Sequence, residues 1–521
     1  MRVRVPLLAL SSLMLLALVL RVMGLAATNL WLDEANSWLV ATLPWHDMIG
    51  NLRASPLGPL YFVALKLWIG AFGDSAASLR APSLVAGVLL VPVTWAIAAR
   101  ATSRRAAALG AALVALSPLH LYFSREARMY MPLALLGALF VLAYLRWSLA
   151  TFAPAAAGRE HRHGGIGALA AYALLAAAAM FTNPVAALLI VAVNVDALIA
   201  LAVHHRTLPR PRWWRAAAHW AAAQGAIAVL LLGVLAFTYV GSAGSTQLWR
   251  PALGVAGAAR ELLELPLTTV HGLYYYSHDF WRAATDAVYY PGRRSLLRFA
   301  ELLLVGPGLL LVLVAALAAA AGGSWRGARR TIALAWIVPT VIGAAISVWR
   351  ELDLARYTLY ATPFLLILVA DGIDRMRRAT AALSLATLLG ALVLGIVRTD
   401  RVGSRDSDYR PVARVIAREW SAGPVIVQPR EMAVPLMYYL RDARPRRILG
   451  VGNDQSVGGA LNTIDAPRAW VVLDYRSPLY NAMPDSLRAA LGHPVISDDF
   501  LMEAGSGVRV VRVGRTVGGG R

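Results

Sequence analysis

Apolar residues run in long blocks through the first 397 positions, with none of the alternation that a half-buried strand leaves. The blocks fall at about 5–27, 81–99, 106–123, 129–148, 165–182, 184–203, 216–239, 297–321, 331–349, 357–371 and 379–397. Most hold about 20 residues, enough for a helix to cross a hydrocarbon layer of about 30 Å. The block 357–371 is shorter. A further block, 56–72, opens on Pro56, Gly58 and Pro59 and carries Lys66 inside it. That pattern suits a helix lying along the membrane surface, or re-entering it, rather than a span. Past 398 the pattern changes. Short β-rich runs at Val425–Gln428, Trp470–Asp474 and Val508–Val513 alternate with helix-like stretches at Pro411–Trp420 and Leu487–Leu491, punctuated by Gly423-Pro424 and Gly458-Gly459. This is the rhythm of a small α/β domain.

The expected fold class is therefore an all-α polytopic membrane bundle of about 11 spans over 1–397, with juxtamembrane helices in its first outside loop. An α/β domain follows at 398–521. Composition agrees with the pattern. Of 521 residues, 58% are hydrophobic and 15% charged, too few charges to cover the surfaces of several soluble domains. A soluble enzyme and a disordered chain are excluded, and with no cysteine so is a disulfide scaffold.

Charge fixes the sidedness. The balance of 50 Lys+Arg against 29 Asp+Glu gives +21, which on a soluble chain would suggest nucleic acid. Here the arginines gather between apolar blocks, as the positive-inside bias requires, so no nucleic-acid partner is expected. With the N-terminus (Arg2, Arg4) in the cytoplasm and 56–72 not crossing, the clusters Arg100/Arg104/Arg105, Arg159/Arg162, Arg206/Arg210/Arg212/Arg215, Arg326/Arg329/Arg330 and Arg375/Arg377/Arg378 all fall inside. The C-terminal domain then lies outside. The first block reads as retained rather than cleaved, because Arg21 interrupts it and no clean cleavage site follows.

Three motifs on the outside face could carry chemistry. Leu30-Trp31-Leu32-Asp33-Glu34 sets two carboxylates just beyond the first span. They would serve equally as acidic caps of a helix over Ala35–Leu43 or as a base beside an acceptor hydroxyl. Ser124-Arg125-Glu126-Ala127-Arg128-Met129-Tyr130 crowds three charges into a very short loop, and outside arginines run against the topological bias. Arginine forks suit phosphate, whereas the plainer reading is snorkelling. Arg350-Glu351-Leu352-Asp353-Leu354-Ala355-Arg356-Tyr357 repeats the theme, with a salt-bridged turn as its structural alternative. Arg21 by default snorkels. Asp196 pairs internally or lies near the cytoplasmic end. The ten histidines show no metal-ligand spacing, and no phosphate-binding glycine loop is present. No cofactor is required; a divalent metal has no residue pattern to support it. Tyr274–Tyr276 and Tyr289–Tyr290 read as interfacial belt aromatics.

In this order the motifs resemble the bacterial C-type (GT-C fold) membrane glycosyltransferases that use polyprenyl-phosphate sugars, within them the protein O-mannosyltransferase and lipid A aminoarabinose transferase groups. The matching pieces are Arg21, Leu30–Glu34, Pro59-Leu60-Tyr61-Phe62 with Trp68, Leu79-Arg80-Ala81-Pro82-Ser83, Ser117-Pro118-Leu119-His120, Ser124–Tyr130, Arg356-Tyr357, Pro363 and Asp408–Ala413. Leu57-Gly58-Pro59 departs from the His-Pro-Pro or Lys-Pro-Pro of relatives, and Asn183 stands where many carry histidine.

The resemblance implies inverting transfer of a sugar from a polyprenyl-phosphate donor to an acceptor glycan, lipid or protein, at the outer face of a bacterial cytoplasmic membrane. It implies Asp33 as base with Glu34 orienting it, Arg128 and Arg356 on the donor phosphate, and Tyr357 as a hydrogen-bond donor. Glu126, Arg80 and Tyr61 would be substrate-positioning residues, and membrane lipids surround the whole. The alternatives are a lipid-linked oligosaccharide ligase or polymerase and, from another class, a lipid or solute transporter. A transporter would be expected to show inverted repeats and midplane helix breaks, and no repeat is evident.

Overall fold

The computed structural model describes residues 7–53, 58–152, 164–239, 252–271, 293–350, 352–401, 407–418, 423–443, 447–463, 468–482, 484–492, 495–499 and 507–514. Arg2/Arg4, Leu57, Arg159/Arg162, Tyr274–Tyr276, Tyr289–Tyr290 and Glu351, all singled out above, lie outside these. The chain forms two compact units. One comprises Met1–Met23, Trp45–Trp68 and Arg80–Arg401; the other comprises Gly24–Pro44, Ile69–Leu79 and Val402–Arg521.

The first unit is helical. Seven described helices are long and apolar enough to cross a membrane: Ala76–Ala98, Tyr130–Phe152, Gly165–Thr182, Pro184–His204, Arg210–Gly233, Ala328–Trp349 and Arg378–Val397. Arg104–Leu116 and Pro118–Ser124 make an eighth if counted as one span bent by 52°. The expected count of about 11 is not reached among the described residues. Leu8–Val22 and Gly306–Ala321 are apolar but shorter, as is Pro59–Phe72, which was expected not to cross. The chain is a multi-pass membrane protein.

The bend has an identifiable cause. Pro118 has no N–H, and its ring clashes with the carbonyl of the residue four positions back. The helix therefore stops at Leu116 and restarts under Ser117, whose Oγ accepts the His120 N–H at 3.4 Å. The carbonyls left open in the last turn are taken up from elsewhere: Arg21 donates Nη1 to Ala115 O at 3.0 Å and Nη2 to Val114 O at 3.4 Å. Arg21 is fully buried. This corrects the snorkelling assignment; the guanidinium substitutes for the backbone donors that the proline break removes.

A second set of polar contacts ties together the helices Tyr130–Phe152, Ala187–His204, Ala328–Trp349 and Thr362–Arg375. Asp196, buried in the helix Ala187–His204, accepts from Arg330 Nε at 2.5 Å, Tyr144 OH at 2.8 Å and Thr331 Oγ1 at 2.8 Å. Asp371 pairs with Arg329 and with Arg375, the latter at 3.1 Å. Arg329, buried, and Arg330, half-buried, were expected as topological markers and are thus also partners of buried carboxylates. Removing one member of such a pair strands the other in a low-dielectric interior, at a cost of about 3–5 kcal/mol. Asp196→Ala should therefore lower the thermal midpoint of the detergent-solubilised protein sharply, whereas Arg326→Ala, at an exposed site, should leave it nearly unchanged.

The second unit carries a five-stranded sheet in the order β2-β1-β3-β5-β4, with β1 Val425–Gln428, β2 Ile448–Gly450, β3 Arg468–Asp474, β4 Val495–Asp499 and β5 Val508–Gly514. β1 runs parallel to β2 and β3, whereas β5 is antiparallel to β3 and β4. The three sequence-expected runs are β1, β3 and β5. Alternate residues build two apolar layers. Val425, Val427, Trp470 and Val472 pack with Tyr409, Val412, Ile416 and Leu436 on one face. Ile426, Val471, Leu473 and Val511 pack with Leu461, Leu487 and Leu491 on the other. Both faces are covered, so β1 is buried at every position and its first three residues, Val425–Val427, form an unbroken apolar run.

The segment 24–44 belongs to this unit through specific bonds. Asn29 Nδ2 donates to Ser407 O at 3.0 Å, Leu30 N–H to Tyr439 OH at 2.6 Å and Arg410 Nη1 to Ala27 O at 2.8 Å. Leu32 packs on the first layer. Trp38 meets the Tyr438 ring edge-on at 5.2 Å and donates Nε1 to Asp74 at 2.9 Å, and Asp74 also pairs with Arg441 at 3.3 Å. Burial works against ionisation of Asp408, but the hydrogen bonds and charge of Arg410, with the charge of Arg414, outweigh it and hold the carboxyl below its ordinary range.

Candidate functional site

The motif Ser124–Tyr130 links the helices Pro118–Ser124 and Tyr130–Phe152 in the first unit. Ser124, Glu126, Arg128 and Tyr130 are all buried. Bonds to two neighbouring helices, Leu7–Val22 and Ala76–Ala98, fix its course. Arg21 Nε donates to Ser124 Oγ at 3.1 Å, Ser83 Oγ donates to Arg128 O at 2.9 Å, and Arg125 bonds Leu20 O. A side chain at Gly87 would run into the Ser124 hydroxyl and Arg21 Nε, so glycine there lets the helix Ala76–Ala98 pass close to the motif. Arg21 therefore serves the site twice, by holding the broken helix that precedes the motif and by bonding its first residue.

The second arginine stands on the short helix Leu354–Tyr357. Asp353 caps it by accepting the Arg356 N–H at 3.3 Å, and its carboxylate also holds Arg356 Nε at 3.5 Å. Asp353 and Arg356 are both buried. The two arginine motifs, more than 200 positions apart, meet on one aromatic ring. Tyr130 has the Arg128 guanidinium 5.8 Å and the Arg356 guanidinium 5.6 Å from its centroid, and Tyr357 stands edge-on to it at 6.0 Å. Both cation distances lie within the reach of a cation–π contact. Tyr130 closed the motif in the sequence and received no role. An aromatic two positions beyond an outside arginine, at the start of an apolar block, was the signal available.

Beside Asp353 lies an open cleft lined by Glu261, Glu264, Leu265, Thr268, Leu354 and Ala355. Its first wall is the helix Gly254–His271, in the stretch between the apolar blocks 216–239 and 297–321. Glu264 pairs with Arg260 at 3.8 Å, and Ser347 Oγ donates to Glu261 at 3.4 Å. Among the described residues no group of three His, Cys, Asp or Glu could hold a metal ion.

Of the remaining site candidates, Tyr61 and Arg80 are buried in the first unit, and Asn183 caps the turn Pro184–Ala186 by accepting the Val185 N–H at 3.0 Å. Asp33 and Glu34 belong to the second unit, in the first turn of the helix Leu32–Thr42. The buried Glu34 accepts the Trp31 N–H at 3.4 Å, a long capping bond, and Asp33 is half-buried. The helix begins three residues earlier than expected, so both carboxylates are part of it rather than preceding it.

A scan of protein-family profiles matches none, and a search of curated proteins finds no match. Solved structures do match. ArnT from Cupriavidus metallidurans in the apo state is similar over 96% of this chain and 97% of its own, with a TM-score of 0.56 at 14% identity. The same protein bound to undecaprenyl phosphate is similar over 98% of each chain, with a TM-score of 0.53 at 15% identity. The archaeal oligosaccharyltransferase AglB from Archaeoglobus fulgidus, in complex with an inhibitory peptide and a dolichol-phosphate, is similar over 92% of this chain and 72% of its own. Its TM-score is 0.52 at 12% identity. At these identities the likeness establishes the fold. The chain has the GT-C fold that its motifs resembled.

Proposed function

We propose that this chain is an inverting glycosyltransferase, moving a sugar from a polyprenyl-phosphate donor to an acceptor hydroxyl at the outer face of a bacterial cytoplasmic membrane. The observation that carries the reading is the pair of buried arginines on Tyr130. Two guanidinium groups converging on one ring offer planar forks suited to a phosphate, and a lipid phosphate is the anion that suits a membrane-embedded site. The undecaprenyl phosphate and dolichol-phosphate held by proteins of the same fold support the choice of anion.

Transfer then proceeds by displacement. The acceptor oxygen attacks the anomeric carbon, the bond from that carbon to the phosphate oxygen breaks, and polyprenyl phosphate departs. Arg128 and Arg356 neutralise the charge that grows on the leaving phosphate, which a preorganised cation does without reorganising at the moment of reaction. Tyr357 adds a hydrogen bond. The acceptor proton passes to Asp33, a carboxylate being a competent base once within hydrogen-bond reach. Glu34 holds the start of the Asp33 helix, and Glu126, Arg80 and Tyr61 position substrate. In this reading residues 1–397 provide the catalytic machinery and 398–521 form an extracytoplasmic domain, with the N-terminus in the cytoplasm.

The likeness to AglB favours a second donor, a whole lipid-linked glycan, on the same chemistry. A panel of polyprenyl-phosphate sugars and lipid-linked oligosaccharides, each incubated with the purified protein, tests both. Release of the lipid phosphate from a monosaccharide donor is expected. Release only from oligosaccharide donors would favour the ligase, and release from none would overturn the enzymatic reading.

A further inference from the structure

The Tyr130 hydroxyl is the unexplained polar group of the donor-phosphate site. Tyr130 is 1% exposed, and its hydroxyl oxygen, fully buried, has no hydrogen-bond partner among the described residues. Buried hydroxyls are satisfied in the great majority of cases, so an orphan calls for an explanation. A ring needed only to pack against Phe123 at 5.4 Å and Tyr357 at 6.0 Å would serve as well as phenylalanine, without a polar atom to desolvate. Yet this ring is the common neighbour of both arginines, and the orphan hydroxyl belongs to that same ring. Phosphate oxygens carry several lone pairs, more than two guanidinium groups occupy.

We propose that Tyr130 is a third donor-binding residue, whose hydroxyl donates a hydrogen bond to the phosphate of the polyprenyl donor while its ring supports Arg128 and Arg356. The assignment rests on the donor reading given above. It implies recognition of the phosphate rather than of the isoprenoid chain, because nothing else on the lipid accepts a hydrogen bond so strongly. In the transfer reaction the same bond strengthens as the bridging oxygen gains charge and the phosphate leaves.

Tyr130→Phe separates this from a packing role, because the two predict changes of opposite kind. Removing an orphan buried hydroxyl leaves the stability of the ligand-free protein unchanged or raises it. Removing a contact to a charged ligand weakens binding by about tenfold or more. The measurement pairs the thermal midpoint of the ligand-free protein with titrations of undecaprenyl phosphate and of undecaprenol, which lacks the phosphate, into wild type and Y130F in detergent. The expected result is an unchanged or higher midpoint, a dissociation constant for undecaprenyl phosphate raised about tenfold or more, and no change for undecaprenol. Equal affinity of the two proteins for undecaprenyl phosphate would overturn the proposal. So would a lowered midpoint with equal losses for both lipids, the signature of a packing defect. Failure of the wild type itself to bind undecaprenyl phosphate would instead overturn the donor reading on which the proposal stands.

Discussion

Asp33→Asn should fold, bind the lipid donor and transfer sugar about a hundredfold or more slowly than wild type. Asparagine keeps the size of the side chain and caps a helix about as well as aspartate, so a contribution of Asp33 to the start of the helix Leu32–Thr42 survives the change. What is lost is the ability to take a proton from an attacking hydroxyl. The neighbouring Glu34 is the informative comparison. It is buried and its carboxylate already accepts the Trp31 N–H at 3.4 Å, a bond that glutamine can also make. Glu34→Gln should therefore cost far less activity. Initial rates at saturating donor, with donor binding measured separately, decide the matter. A near-normal rate for Asp33→Asn would remove it as the base and turn attention to Glu34 and Glu126.

Arg128→Ala and Arg356→Ala carry the second large effect. Each deletes a charge-assisted contact to phosphate, worth about 1.5–3 kcal/mol, and each should weaken donor use by one to two orders of magnitude. Arg→Lys should restore part of this, since an ammonium cannot offer the planar fork. Both guanidinium groups lean on Tyr130, so the double variant should fall short of the product of the single losses. Arg356→Ala also leaves the buried Asp353 without the ion pair at 3.5 Å, so its thermal midpoint must be read beside its kinetics. Donor titrations of rate for the four single variants and the double alanine variant check these statements, and wild-type donor use in both single alanine variants would return the arginines to a purely structural role.

The membrane class was legible because its signal is local: blocks of about 20 apolar residues need no partner to be recognised. The strands β1, β3 and β5 were legible for a similar reason, as short valine-rich runs between turn residues. β4 escaped because Val495–Asp499 ends on two aspartates. What stayed hidden depends on contacts between distant positions. The apolar block 106–123 is continuous, and although Pro118 was visible in it, the acceptors for Arg21 at Val114 and Ala115 lie more than 90 positions away. A burial of that kind leaves no trace in the neighbourhood of Arg21. The helix Gly254–His271 was missed because Arg260, Glu261, Glu264 and an internal Pro266 obscure its apolar face. Likewise the docking of Asn29, Leu30 and Leu32 against residues beyond 400 joins the two ends of the chain within one unit. For the site, the residue types and their order pointed to phosphate chemistry, but the convergence of Arg128 and Arg356 on Tyr130 required the fold.

The central claim is that sugar leaves a polyprenyl phosphate and joins an acceptor. Its most direct test is a mass balance in proteoliposomes carrying a donor labelled in both sugar and lipid. One polyprenyl phosphate should be released for every sugar found on the acceptor, in wild type and at a strongly reduced rate in Asp33→Asn. Recovery of the donor intact, whether left in place or moved unchanged to the other leaflet, would contradict the account and identify the protein as a binder or transporter of the lipid.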